Sequence, residues 1–170
     1  MKVILYMATT VNGFIAKPDD SADFITKVES ESYVSNVLDA GALIIGRRTY
    51  GILSTQPEFQ EFLKAKVKIV AVSHNDFKVA DSNHAVAHSP KEALALVNGF
   101  QKVIVAGGGT LDASFLEENL IDEIYLDIEP AVLGKGIPLF NGGDFEKRLK
   151  FLSSKNFSED EIQLHYRVLK

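Results

Sequence analysis

Four short apolar runs constrain this chain more than any other feature. Val3–Ala8, "ALIIG" (Ala42–Gly46), "VKIVAVS" (Val67–Ser73) and "KVIVAG" (Lys102–Gly107) are rich in β-branched residues and scarcely alternate with polar ones. Runs of that kind read as strands buried on both faces. Helical patterns lie between them. Glu29–Ala40 places Tyr33, Val34, Val37 and Leu38 at helical spacing and stops at Gly41. "RRTYGIL" begins a short helix, and Phe59–Lys66 predicts another helical turn. "SPKEALALV" has Ser89 as a cap, Pro90 at the first helical position and Glu92 in the first turn. "TLDASFLEENL" reads as a further helix. Strands that alternate with helices predict an α/β fold with a mainly parallel central sheet and helices on both faces. A short strand is expected near His84–Ala87. "DEIYLDIEPAVLG" reads as a strand with alternating character, and "LKFLSSKNF" and "IQLHYRVLK" flank the turn "SED" as an antiparallel C-terminal edge. "NGF", "KPDDSADF" and "KGIPLFNGG" read as turn and loops.

At 170 residues the chain predicts a single domain spanning 1–170. The formal net charge is −5, and there is no basic block to support nucleic-acid binding. Cysteine is absent, which excludes disulfides, thiolate nucleophiles and Cys-type zinc sites. No apolar run is long enough to span a bilayer, and the short N-terminal one lacks signal-peptide features. A cytoplasmic location is expected.

"VIVAGGGTLDASF" (Val103–Phe115) ends a strand on three glycines and opens a helix at once. In open α/β sheets, ligands sit at the carboxyl ends of strands. Glycine there lets a ligand approach the backbone, and the following helix offers free N–H groups and a favourable dipole to an anion. Strand–Gly107–Gly108–Gly109–helix therefore suits a pyrophosphate; the alternative is a tight turn that uses glycine only for its dihedrals. Two common phosphate motifs are excluded. The dinucleotide fingerprint would require glycine where Asp112 stands, and "PAVLGKG" has Gly136 where a P-loop needs Ser or Thr.

Two other strand ends look similar. Gly46 is followed by Arg47, Arg48 and Thr49, and "VAVSHN" places Ser73, His74 and Asn75 beyond a strand. An arginine opposes the dipole at a helix start, a conflict that a bound anion would relieve. Three such junctions suggest one extended ligand with several phosphates, a dinucleotide rather than a monophosphate. Metal binding has little support. His84 and His88 are four apart, but "SNHAVAHSP" reads as strand or loop, where that spacing separates them by about 13 Å. His165 falls in a closing strand. No Gly-x-Ser-x-Gly elbow is present.

"IIGRRTYG", "VAVSHN" and "VIVAGGGTLDASFL" resemble the corresponding segments of dihydrofolate reductases in order and approximate spacing. "LIDEIYLDIEPAVLGKGIPLF" is similar to the reductase domain of the bifunctional riboflavin-biosynthesis deaminase-reductase. The resemblance implies a dihydrofolate-reductase-like fold, NADPH as cofactor and a homodimer. It implies that Gly46, Arg47 and Thr49 contact the cofactor phosphates, with Ser73 and His74 near the 2′-phosphate. Gly107, Gly108, Gly109, Thr110 and Leu111 would cradle the pyrophosphate and nicotinamide side. Thr10, Asn12 and Gly13 would border the nicotinamide and substrate, and Gly134 and Gly136 would lie in a nearby loop. The chain departs from both relatives on the substrate side. Asn12 and Ala106 stand where riboflavin reductases commonly carry Asp and Glu, and no Trp accompanies the first helix. Glu29 and Glu31 fall near the position of the dihydrofolate-reductase acid, or are solvated helix-start carboxylates. The candidate catalytic residues are thus Asn12, Glu29 and Glu31.

The expected activity is hydride transfer from NADPH to a C=N or C=O bond of a small heterocyclic, ribitylamino-pyrimidine or pterin-like substrate. The alternative is a non-catalytic NADP-binding or scaffold protein on the same fold.

Overall fold

Successive side chains of Lys2–Thr10 (β1) enter opposite cores, as the period of a strand requires. Val3 and Leu5 pack with Ile44, Val70, Val105 and Phe115, whereas Ile4 and Tyr6 pack with Val37, Leu43, Ile45 and Phe62. A strand with two apolar faces needs a cover on each side, and the helices divide accordingly. The computed structural model describes residues 1–170. Lys27–Ala40 (α1), Arg47–Leu53 (α2) and Pro57–Lys64 (α3) cover one face. Pro90–Ala95 (α4) and Gly109–Glu117 (α5) cover the other.

The remaining strands are Phe14–Ala16 (β2), Ala42–Gly46 (β3), Lys68–Val72 (β4), Ala85–Ala87 (β5), Lys102–Val105 (β6), Glu123–Glu129 (β7), Ile137–Pro138 (β8), Leu149–Asn156 (β9) and Ile162–Val168 (β10). Eight of them form one sheet in the order β5-β4-β3-β6-β1-β7-β10-β9. The pairs from β5 to β7 are parallel, and β10 joins β7 and β9 antiparallel. This is the dihydrofolate-reductase-like arrangement, with a mainly parallel sheet and an antiparallel C-terminal edge. Parallel pairing brings the carboxyl ends of β1, β3, β4 and β6 to one side of the sheet.

Local chemistry sets the helix ends. Thr26 Oγ1 accepts the Glu29 N–H and starts α1, which Gly41 ends in the left-handed region at φ 71°. Ser89 Oγ accepts the Glu92 N–H and starts α4. Helix α3 begins at Pro57, two residues earlier than the expected turn at Phe59, because Pro57 occupies the first helical position. The segments read as loops around Phe14 and Ile137 instead pair as β2 and β8, with Phe14 opposite Pro138 and Ala16 opposite Ile137. Strands of two and three residues are too short to show a period.

Phe115 is fully buried between α5 and the sheet. Phe115→Ala is expected to lower unfolding stability by about 3–5 kcal/mol. Val132→Ala, at a position 71% exposed, is expected to leave stability within about 0.5 kcal/mol. Urea denaturation of both variants checks this.

Candidate functional site

At the carboxyl ends of the parallel strands lies a cleft of about 540 Å³, within the usual range for small-molecule sites. Its walls include Met7 from β1, Gly46 to Thr49 at the start of α2, Val72 to His74 after β4, and Ala106 to Leu111 around the start of α5. Ile15, Ala22, Ile137 and Asn141 close the rim.

The glycine turn is held from two sides. The Gly46 N–H donates to the Gly107 carbonyl at 2.8 Å. The Gly107 N–H donates to Asp112 Oδ1 at 3.0 Å. Gly107 has φ 82°, a conformation that disfavours any side chain. Gly109 is glycine for a different reason, since a Cβ there would overlap the Pro138 carbonyl oxygen. The first N–H groups of α5 precede the intrahelical ladder, and Gly109 and Thr110, which carry them, line the cleft. Asp112 is fully buried beneath the turn, and burial pushes its carboxyl well above the usual carboxylate range. Asp112 Oδ1 thus anchors the turn through the Gly107 N–H, while Oδ2 has no partner.

The two arginines differ. Arg48 Nε donates to Asp20 Oδ2 at 2.7 Å, so its charge is paired. Arg47 lies 5.2 Å over the Phe77 ring and has no carboxylate partner. Ser73 Oγ donates to the Asn75 carbonyl at 2.7 Å and shapes the turn after β4. His74 lines the same end of the cleft, and so does His88. Sequence reading missed His88. The parallel β4–β5 register places Ala87 opposite Val72 and so brings His88 beside Ser73. That pairing leaves no local signal. His84 does not approach His88 functionally; it is buried, with Nδ1 2.8 Å from the Tyr50 hydroxyl.

Thr10, Asn12 and Gly13 lie outside the cleft wall. Thr10 Oγ1 donates to Asn12 Oδ1 at 2.9 Å and accepts the Phe14 N–H at 3.1 Å. Asn12 Nδ2 donates to the Leu133 carbonyl at 2.6 Å, and its Oδ1 accepts the Leu133 N–H at 3.2 Å. Gly13 turns the chain at φ 84° and its carbonyl accepts the Leu139 N–H. Together they fasten the β1–β2 turn to the loop before β8. Gly136 belongs to that junction too, because a Cβ there would stand 2.6 Å from the Ala16 carbonyl oxygen. Glu31 is exposed and pairs with Lys27 one turn earlier, at 3.5 Å.

Glu29 is not solvated. It is 5% exposed and meets three other buried carboxylates, Asp127 and Glu129 of β7 and Glu161 just before β10. The strand period explains the cluster. Ile124 and Leu126 face the core under α5, so Tyr125, Asp127 and Glu129 turn toward α1. Both oxygens of Asp127 and one each of Glu129 and Glu161 have no hydrogen-bond partner. The neighbouring polar groups are engaged elsewhere: Tyr6 donates to Ser32 at 2.8 Å and Gln163 donates to Tyr6 at 3.2 Å. Burial, followed by the charges of Asp127, Glu129 and Glu161, pushes the Glu29 carboxyl up to about 8. Burial pushes Asp127 to about 6 and raises Glu129.

The folded protein therefore keeps a proton on Glu29 up to about pH 8. The unfolded chain releases that proton near the ordinary value of 4.5. Between those values the folded state binds more protons, so raising pH lowers stability. Glu29→Gln removes the share of this dependence that Glu29 carries, while Asp127 and Glu129 keep theirs. The melting temperature of wild type is expected to fall more steeply than that of the variant from about pH 5 to about pH 8.5. Thermal unfolding across that range checks it.

Comparison with known proteins assigns the chain. The family model described as RibD C-terminal domain matches residues 1–162. The uncharacterized protein YwjB of Bacillus subtilis is 32% identical over 171 residues, spanning 97% of each chain. A crystal structure of a candidate riboflavin biosynthesis protein from Shewanella sp. PV-4 superposes with a TM-score of 0.82 at 20% identity over the whole of both chains. The deaminase/5-amino-6-(5-phosphoribosylamino)uracil reductase of Thermotoga maritima superposes with a TM-score of 0.73 at 18% identity, matching 99% of this chain and 56% of that one. No helix is long and apolar enough to cross a membrane. With its glycine turn, its strand-end cleft and its full-length match, this chain belongs to the RibD C-terminal domain family.

Proposed function

We propose that this protein is an NADPH-dependent reductase that delivers a hydride to a C=N or C=O bond of a small ribitylamino-pyrimidine or pterin-like heterocycle. The observation that carries the reading is the strand-end cleft, whose lining joins the start of α5 at Gly107–Leu111 to Arg47, an arginine with no carboxylate partner. The residues fit the cofactor: Gly107, Gly108 and Gly109 line the cleft with backbone beside Met7 and Thr49, and the cleft continues past Gly46 to Ser73 and His74. When bound, NADPH supplies the hydride. In this reading the N–H groups of Gly108, Gly109 and Thr110 hold the pyrophosphate, and Thr49 adds a hydroxyl. Arg47 contributes charge without losing a protein partner. Ser73 and His74 hold the 2′-phosphate, and Met7 and Leu111 form an apolar wall toward the nicotinamide. Glu29 holds the proton reserve among Asp127, Glu129 and Glu161. The substrate draws on it from the side of β1 and β7.

One observation favours a second reading. The only carboxylate in the cleft wall is Asp20, and it is paired with Arg48. A protein that binds NADP without turning it over would show that wall.

Fluorescence titration and NADPH oxidation in the presence of aminopyrimidine and pterin substrates separate the readings. Binding with turnover supports the reductase, binding alone supports the second reading, and no binding overturns both. Arg47→Ala is expected to weaken NADPH roughly tenfold to a hundredfold, as loss of a charge-assisted bond would. We further propose a homodimer through the β9 edge, where Leu149 and Phe151 are exposed on a strand paired on one side only. Light scattering should then give about twice the chain mass of 18.7 kDa.

A further inference from the structure

We infer that His88 reads the 2′-phosphate of the dinucleotide and makes the preference for NADPH over NADH fall as pH rises. This inference rests on the reductase reading. It starts from the β4–β5 pairing. The Ser73 N–H donates to the Ala87 carbonyl at 2.9 Å, which fixes His88 against the turn after β4. His88 Nδ1 lies 2.8 Å from the Ser73 carbonyl oxygen. A carbonyl only accepts, so Nδ1 carries the hydrogen. The second nitrogen, Nε2, is left facing outward beside the cleft, on a half-exposed side chain.

This locked ring has two states toward an anion. Neutral His88 presents a lone pair at Nε2, which repels a phosphate oxygen. Protonated His88 presents an N–H and a full charge. The other groups around the ring do not substitute for that charge. Asp76, on the loop after β4, places Oδ1 3.4 Å from Nε2. Glu92 of α4 accepts the His88 backbone N–H at 2.8 Å. Both carboxylates, with the Ser73 carbonyl as the largest influence, favour the protonated ring. Asp76 is 89% exposed, so an arriving phosphate displaces it into solvent. His74 lines the same stretch of cleft. The site lies at the end of β4, two strands from β6, a lateral distance of about 10 Å. That is the span of a nucleoside between the pyrophosphate cradle and a ribose phosphate.

The test is dissociation constants for NADPH and NADH, by fluorescence, at about pH 6.5, 7.5 and 8.5. Most of this range lies above the second ionisation of a phosphate, near pH 6, so the phosphate charge changes little. Wild type is expected to lose about tenfold of its NADPH preference across it, the scale of one charge-assisted bond. NADH affinity should stay flat. In His88→Asn the amide can still donate to Ser73 but carries no charge. That variant should have the reduced preference at every pH, with an unchanged melting temperature. A pH-independent ratio in wild type, or a variant that tracks wild type, overturns the role of His88 and leaves the reductase reading standing. If neither dinucleotide binds, that reading falls and the inference falls with it.

Discussion

The cleft depends on a backbone contact that admits no side chain. The segment from Ile137 to Asn141 lies across the first residue of α5, with the Asn141 N–H donating to the Gly109 carbonyl at 3.0 Å and the Pro138 carbonyl filling the space a Cβ would need. The same segment reaches the other way, from the Leu139 N–H to the Gly13 carbonyl. Three distant stretches, around residues 13, 109 and 138, are thereby joined at one rim of the cleft. Gly109 and Gly136 serve this junction by lacking bulk, at ordinary φ. Gly107 and Gly13 serve it by conformation, at positive φ. These are separate physical demands. Substituting alanine violates the first by overlap and the second by strain.

Charge is sorted across the sheet by the same geometry. The end of the cleft near β3 and β4 collects Arg47, Arg48, His74 and His88, with Asp20 beside Arg48 and the exposed Asp76 beside His88. On the α1 side, Glu29, Asp127, Glu129 and Glu161 crowd together without a bonded cation. The nearest basic influence on Asp127 is Lys155, whose ammonium sits 5.0 Å over the Phe157 ring. A molecule of net charge −5 thus presents a basic wall to an anionic ligand. The excess acidity is partly neutralised by bound protons and partly turned away from that wall.

Much of the fold is legible because its signals are local. Apolar runs without alternation mark β1, β3, β4 and β6, and caps at Ser89 and Gly41 bound two helices. Two segments of the cleft wall are legible for the same reason. A strand that ends in glycine and opens a helix is contiguous in sequence, so Gly46–Thr49 and Gly107–Leu111 can be read directly and are found on one cleft. What fails is whatever depends on a distant partner. Asn12 looks like a site residue until Leu133, 121 positions away, takes both ends of its amide. Glu29 sits in the polar stretch "KVESES" and reads as solvated; β7 and the segment before β10 enclose it. The alternation of Tyr125 and Asp127 is visible in sequence, but not what that face meets. His88 becomes meaningful only through the β4–β5 register.

The carboxylate cluster bears on how such a site could reduce a heterocycle without an acid in its wall. Burying an unpaired carboxylate is costly, and apolar residues of similar size would fill these positions at lower free energy. The positions concerned are the last residues of β7, the first turn of α1 and the residue before β10, which together enclose the carboxyl end of β1. Strand ends of this kind are where open α/β sheets bind their ligands. Four acids competing for fewer protons do not titrate independently; each proton is held by the group rather than by one residue. A shared proton of that kind is retained near neutral pH. In that arrangement the fold separates two kinds of charge: the ends of β3, β4 and β6 carry N–H groups and basic side chains on the cleft, while β7, α1 and the residue before β10 carry buried carboxylates on the other side. Met7 faces the cleft and Tyr6, its neighbour on β1, faces the acids, so one strand forms the boundary between the two.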